Sequence, residues 1–164
     1  MTKKFFLLFL FLFAIIDLSC GSGHQRNAPG EYHRVTRVID GDTFVIETSP
    51  GNEERVRLIG VDAPETRRTR NREVGHYAEE SKAFLSKMIE NQMVRLVYDV
   101  NKYDRYQRIL AYVYLRNGTF VNAEQVKRGY AVVMTVPPNV EHAETFVRLQ
   151  REARENNRGL WREN

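Results

Sequence analysis

Three short clusters in this 164-residue chain carry carboxylates, two of them together with arginines. They are Asp40-Gly41-Asp42-Thr43, Arg57-Leu58-Ile59-Gly60-Val61-Asp62-Ala63-Pro64-Glu65-Thr66 and Asp104-Arg105-Tyr106-Gln107-Arg108. Asp40, Asp42 and Asp62 offer the oxygen donors that a hard cation such as Ca²⁺ accepts in irregular geometry. Glu65 follows Asp62 by three residues, with Pro64 stiffening the loop between them. A glutamate so placed can take a proton from a nearby water. Arg57 and Arg108 bring forked donors suited to a phosphoryl group whose charge grows in a transition state. Zinc fits poorly, because His24, His33, His76 and His142 lack ligand spacing and Cys20 is the only cysteine. Singly, each cluster has a plain structural use: Asp-Gly is a common turn, and Asp62, Glu65 and Tyr106 could each end a strand, face water or pack. Their combination is what points to chemistry.

The surrounding pattern supplies loop ends on which such residues can converge. Residues 33–40 and 42–48 are β-branched runs joined tightly through Gly41, residues 49–52 are a turn by composition, and residues 55–61 read as a third strand. Three short strands so close together predict a curved meander. The period then changes over residues 73–91, where Tyr77, Phe84, Leu85, Met88 and Ile89 recur at helical spacing. Residues 93–100 and 108–115 return to strand, and Asn117-Gly118 closes a hairpin onto Thr119-Phe120. Residues 121–128 predict a short helix stopped by Gly129. A final helix over residues 141–156 places Phe146, Leu149 and Ala153 on one side, with Gly159 beyond its end. The sum is a β-rich α+β fold, an OB-type five-stranded barrel with about three α-helices.

The three clusters, in this order and spacing, resemble those of the staphylococcal nuclease family, with Ile109-Leu110-Ala111-Tyr112 extending the third. The resemblance covers residues 32–161. It implies that Asp42 and Asp62 ligate Ca²⁺ together with the backbone carbonyl of Ala63, and that Asp40 reaches the metal through water or orients the turn. It further implies Glu65 as general base, Arg57 bridging phosphate and transition state, Arg108 as the second phosphate arginine, and Tyr106 beside the nucleotide phosphate. The implied reaction is attack of water on phosphorus with release of the 5′-oxygen, leaving 3′-phosphorylated DNA or RNA products. The chain departs from the family over residues 131–138, where no tyrosine stands in place of those beside the nucleotide. Residues 67–72 are rich in arginine and suit either backbone-phosphate contacts or a solvated loop.

The net charge of +4 and pI near 9.3 favour encounter with a polyanion without naming nucleic acid. Lys3 and Lys4 precede an apolar run over residues 5–16, too short for a spanning helix of roughly 20 residues. That pattern predicts a removed secretory leader over residues 1–19, whose loss of Lys3, Lys4 and Asp17 leaves +3. Leu18-Ser19-Cys20-Gly21 resembles a bacterial lipoprotein cleavage site, so Cys20 is expected to carry a lipid that anchors the chain to a membrane. Ordinary cleavage nearby would instead leave Cys20 removed or a spare thiol. Residues 20–31 read as a flexible tether and residues 32–161 as the domain. An exported, monomeric, Ca²⁺-dependent nuclease is the expectation. The alternative is a catalytically inactive OB-type nucleic-acid-binding module of the cell envelope. Degenerate modules of that kind commonly lack the carboxylates or arginines, and this chain retains Asp42, Asp62, Glu65, Arg57 and Arg108.

Overall fold

A computed structural model describes residues 31–66 and 75–162. In chain order the elements are β1 (Tyr32–Val38), β2 (Thr43–Ser49), β3 (Asn52–Leu58), β4 (Val61–Asp62), α1 (Ala78–Ile89), β5 (Met93–Val97), β6 (Ile109–Leu115), α2 (Val121–Lys127), β7 (Val132–Val133) and α3 (Ala143–Glu155). A 3-10 turn, Gly159–Trp161, follows α3. The barrel is closed, in the order β1-β2-β3-β6-β5, and has the OB-type α+β architecture that the pattern of elements predicts.

β1, β2 and β3 form the expected antiparallel meander, with a register shift between Val35 and Arg37 that curves β1. β5 pairs antiparallel with both β1 and β6. The seam is the parallel pairing of β3 with β6, which aligns Val56 with Ile109, Arg57 with Leu110 and Leu58 with Ala111. Inward residues of every barrel strand, among them Val35, Phe44, Ile46, Val56 and Val94, meet Leu85 and Ile89 of α1 in one apolar core. Full burial of each of these side chains is worth roughly 1.5–3 kcal/mol. A second cluster, Ile59, Tyr112 and Phe146, seats α3 against β6, with Phe120 packed onto it.

Several features differ from the sequence expectation. The predicted strand over residues 55–61 is interrupted, because Gly60 takes φ 80° and a Cβ there would stand 2.4 Å from the Phe146 ring. Beyond the break, β4 leaves the barrel and pairs with β7, a short strand absent from the sequence reading. The first helix begins at Ala78 rather than at residue 73: Tyr77 has φ 70°, and Gly75 N–H donates to the Glu65 carbonyl at 2.9 Å instead of entering a helix. β5 stops at Val97 because Asp99 turns the chain, accepting bonds from Val100 N–H at 2.8 Å and the Tyr112 hydroxyl at 3.0 Å. α2, the stop at Gly129, and the buried face of α3 (Phe146, Leu149, Ala153) match their predicted positions.

Among the described residues no helix is long and apolar enough to cross a membrane. The expected leader, the Cys20 lipid site, the tether up to residue 30 and the arginine-rich stretch 67–72 lie outside the described residues.

Candidate active site

The turn from β1 to β2 carries Asp40, Gly41 and Asp42. It is closed by Thr43, whose carbonyl accepts from Ile39 N–H at 2.9 Å and Asp40 N–H at 3.2 Å. This folds the Asp42 side chain inward, to 5% exposure. Its Oδ1 accepts the Thr43 hydroxyl at 2.9 Å and its Oδ2 accepts Ala63 N–H at 2.7 Å, which ties the turn to the start of the loop after β4. Asp42 N–H in turn donates to Asp40 Oδ1 at 3.2 Å, so Asp40 orients the turn.

Arg57 lies opposite Thr43 in the β2–β3 register and is also buried. Its guanidinium spans two carboxylates. Nη1 makes an ion pair with Asp42 Oδ2 that lacks the alignment of a directed hydrogen bond, while Nη2 donates to Asp62 Oδ1 at 2.9 Å. Burial pushes the Asp42 carboxyl up, Arg57 pulls it back, and the neighbouring Asp40 raises it again. The net result is a value of about 6.

Across the β3–β6 seam, a loop organised by Asp104 carries the second arginine. Asp104 Oδ1 accepts Tyr106 N–H at 2.8 Å and Arg108 N–H at 3.0 Å, and its Oδ2 accepts Arg108 Nε at 2.7 Å. Burial raises this carboxyl, but the bonds from Arg108 and Tyr106 outweigh it and hold it below the usual carboxylate range. Asp104 engages Arg108 at Nε, the inner nitrogen of the fork. Tyr106 stands 57% exposed, with the guanidinium of Arg105 at 4.8 Å and that of Arg108 at 5.5 Å from its ring centre.

Both arginines and Tyr106 open on one cleft of about 510 Å³, whose facing wall includes Met134, Val136 and Pro137 from the segment after β7. The structure thus joins Asp40, Asp42, Asp62 and Ala63 through Arg57 to the cleft that Arg108 and Tyr106 line. Glu65 is half-buried and its backbone is pinned to Gly75, but its carboxylate is not among the groups lining the cleft. Among the described residues, no three His, Cys, Asp or Glu side chains are grouped closely enough to hold a metal ion. The donor chemistry of Asp42, Asp62 and the Ala63 carbonyl nonetheless fits a hard cation, being oxygen only.

Sequence reasoning assigned no role to Asp104 as organiser of Arg108, to Thr43 as donor to Asp42, or to Asn122 and Gln125. The last two carried a readable signal, polar residues three apart on a short helix between the apolar Val121 and Val126.

A family model described as "Staphylococcal nuclease homologue" matches residues 55–163, about two thirds of the chain. The chain belongs to the staphylococcal nuclease family. Among curated members of that family and its neighbours, the thermonuclease of Staphylococcus intermedius is 42% identical over 132 residues, covering 80% of this chain and 77% of that protein. The thermonuclease of Staphylococcus hyicus is 38% identical, with 82% and 78% covered. A prophage-derived endonuclease of Bacillus subtilis is 32% identical, with 78% of this chain and 43% of the endonuclease covered. Arg57 on β3 and Arg108, one residue before β6, lie on the two sides of the parallel seam.

Proposed function

We propose that this chain is an exported, Ca²⁺-dependent nuclease that cleaves DNA or RNA to 3′-phosphorylated products. The observation that carries the reading is the cleft where Arg57, backed by the buried Asp42 and the half-buried Asp62, meets Arg108 held by Asp104. Two guanidinium forks opening on one groove suit a phosphodiester, because planar paired donors match phosphate oxygens.

Asp42, Asp62 and the Ala63 carbonyl would hold the cation, with Asp40 steadying the turn; bound there, it would supply positive charge and make a nearby water easier to deprotonate. Glu65 takes the proton from the attacking water, whose oxygen bonds to phosphorus as the bond to the 5′-oxygen breaks. Arg57 and Arg108 donate to the phosphoryl oxygens as their charge grows, and Tyr106 lies beside the same phosphate. The apolar wall of Met134, Val136 and Pro137 takes the place of the family's tyrosines beside the nucleotide. Residues 1–19 direct export, with Cys20 the point of lipid anchoring and residues 20–31 the tether.

The test is incubation of purified residues 20–164 with denatured DNA or RNA, in millimolar Ca²⁺ and in chelator. Metal-dependent degradation that a Glu65→Gln preparation lacks supports the reading. Tight binding without cleavage would replace it with the inactive nucleic-acid-binding module.

A further inference from the structure

α2 buries two amide side chains completely, Asn122 and Gln125, one turn apart. Asn122 has every partner it needs. Its Oδ1 accepts Val113 N–H at 2.9 Å, and its Nδ2 donates to the carbonyls of Ile59 at 2.9 Å and Ala111 at 3.2 Å. Those bonds staple α2 to the barrel seam. Gln125 is different. Its Nε2 donates a short hydrogen bond to the Gly41 carbonyl, while its Oε1 finds no partner among the described residues. A buried oxygen left unsatisfied costs about 1–3 kcal/mol. A methionine or leucine would fill the same space but would move that cost to the buried Gly41 carbonyl, so the glutamine gains little net stability from the bond it makes.

The Gly41 carbonyl and the Asp42 N–H belong to one peptide unit. Gln125 grips its oxygen from the core side, and Asp40 Oδ1 accepts its N–H at 3.2 Å from the other. The same turn is pressed against α1, where a Cβ on Gly41 would stand 1.9 Å from the Ser81 hydroxyl and 2.6 Å from Ala63 Cβ. Glycine leaves this peptide unit unusually free to rotate. Rotation would swing the Asp42 side chain away from Ala63 N–H and Arg57.

We propose that Gln125 is a positioning residue, reaching from α2 through the core to lock the Gly41–Asp42 peptide plane and so fix the direction of the Asp42 carboxylate. The consequence for calcium rests on the reading of Asp42 as a ligand; the locked plane itself does not.

The variant is Gln125→Met, which keeps length and loses the donor. In the metal-free protein its Asp42 amide exchanges with deuterium about tenfold faster, while Tm changes little, one buried oxygen being unpaired before and after. Calcium affinity by calorimetry and kcat both fall about ten- to a hundredfold, the range for residues that orient metal ligands, with KM little moved. Wild-type amide exchange and calcium affinity in this variant would overturn the proposal. So would a lower Tm with activity lost in proportion to the unfolded fraction. In the unsubstituted protein, the Gln125 side-chain amide exchanges more slowly than those of the exposed Gln92 and Gln107; equal rates would overturn it without any variant. Failure of the nuclease reading is recognised separately, as an unsubstituted protein without turnover that still shows the exchange difference.

Discussion

Arg57 is 7% exposed and gripped by two carboxylates, one from the β1–β2 turn and one from β4, whereas Arg108 stands nearer the rim on a loop arranged by one aspartate. The first arginine is part of the core. Its charge is balanced by Asp42 and Asp62, and those in turn depend on the Asp40–Asp42 turn, on Ala63 and on α2. The second is set by neighbours within four residues of chain, Asp104 through Arg108. One guanidinium is therefore positioned by tertiary structure and the other by local structure. Substitutions at the buried pole should disturb folding and chemistry together, and those at the rim should separate them.

The largest expected effect is at the buried pole. Arg57→Leu leaves Asp42 and Asp62 without their shared cation, and breaking a buried pair in this way costs about 3–5 kcal/mol. Urea unfolding of the metal-free protein measures it, and a loss below 1 kcal/mol would show that the pole is not held by charge. Next, Arg108→Ala should lower kcat about 10²–10³-fold, as removal of one oxyanion donor does, while the urea midpoint stays in place. A midpoint shift as large as that of Arg57→Leu would erase the distinction between the two arginines.

The two poles should also respond oppositely to pH. The Asp42 carboxyl is raised from 3.8 to about 6, so the folded metal-free protein binds its proton more tightly than the unfolded chain does. Stability from this group is present below pH 3.8 and is lost as pH rises through about 6, by up to roughly 3 kcal/mol. Asp42→Asn should flatten that fall in the unfolding free energy between those values. The Asp104 carboxyl is lowered, so its contribution is present above 3.8 and is lost as pH falls through its folded value. The smallest effect follows from that bond: Asp104→Asn should lower kcat about tenfold by loosening Arg108, and a variant with wild-type kcat would show that Tyr106 and Arg105 suffice to place it.

The same contrast governs what could be read from the sequence. The meander, the Asp-Gly-Asp turn, the stop at Gly129 and the buried stripe of α3 follow from local period and turn chemistry, and the structure has them. The Asp104 loop was equally local, yet its role stayed hidden, because an Asp four residues before an Arg reads as an ordinary surface pair. The Gly60 break was missed because the apolar run continues through it; only the Phe146 ring arriving from α3 explains the turn. The pairing of β4 with β7, and the reach of Gln125 across 84 positions to Gly41, are matters of tertiary contact that no window of sequence contains.

The parallel seam ties the two arginines to the order in which the chain is made. Residues 56–58 and 109–111 must meet before Arg57 and Arg108 share a cleft, and the intervening half-century of residues must be synthesised and looped first. An unfolded chain therefore carries both arginines and no shared cleft, which forms only as the barrel closes.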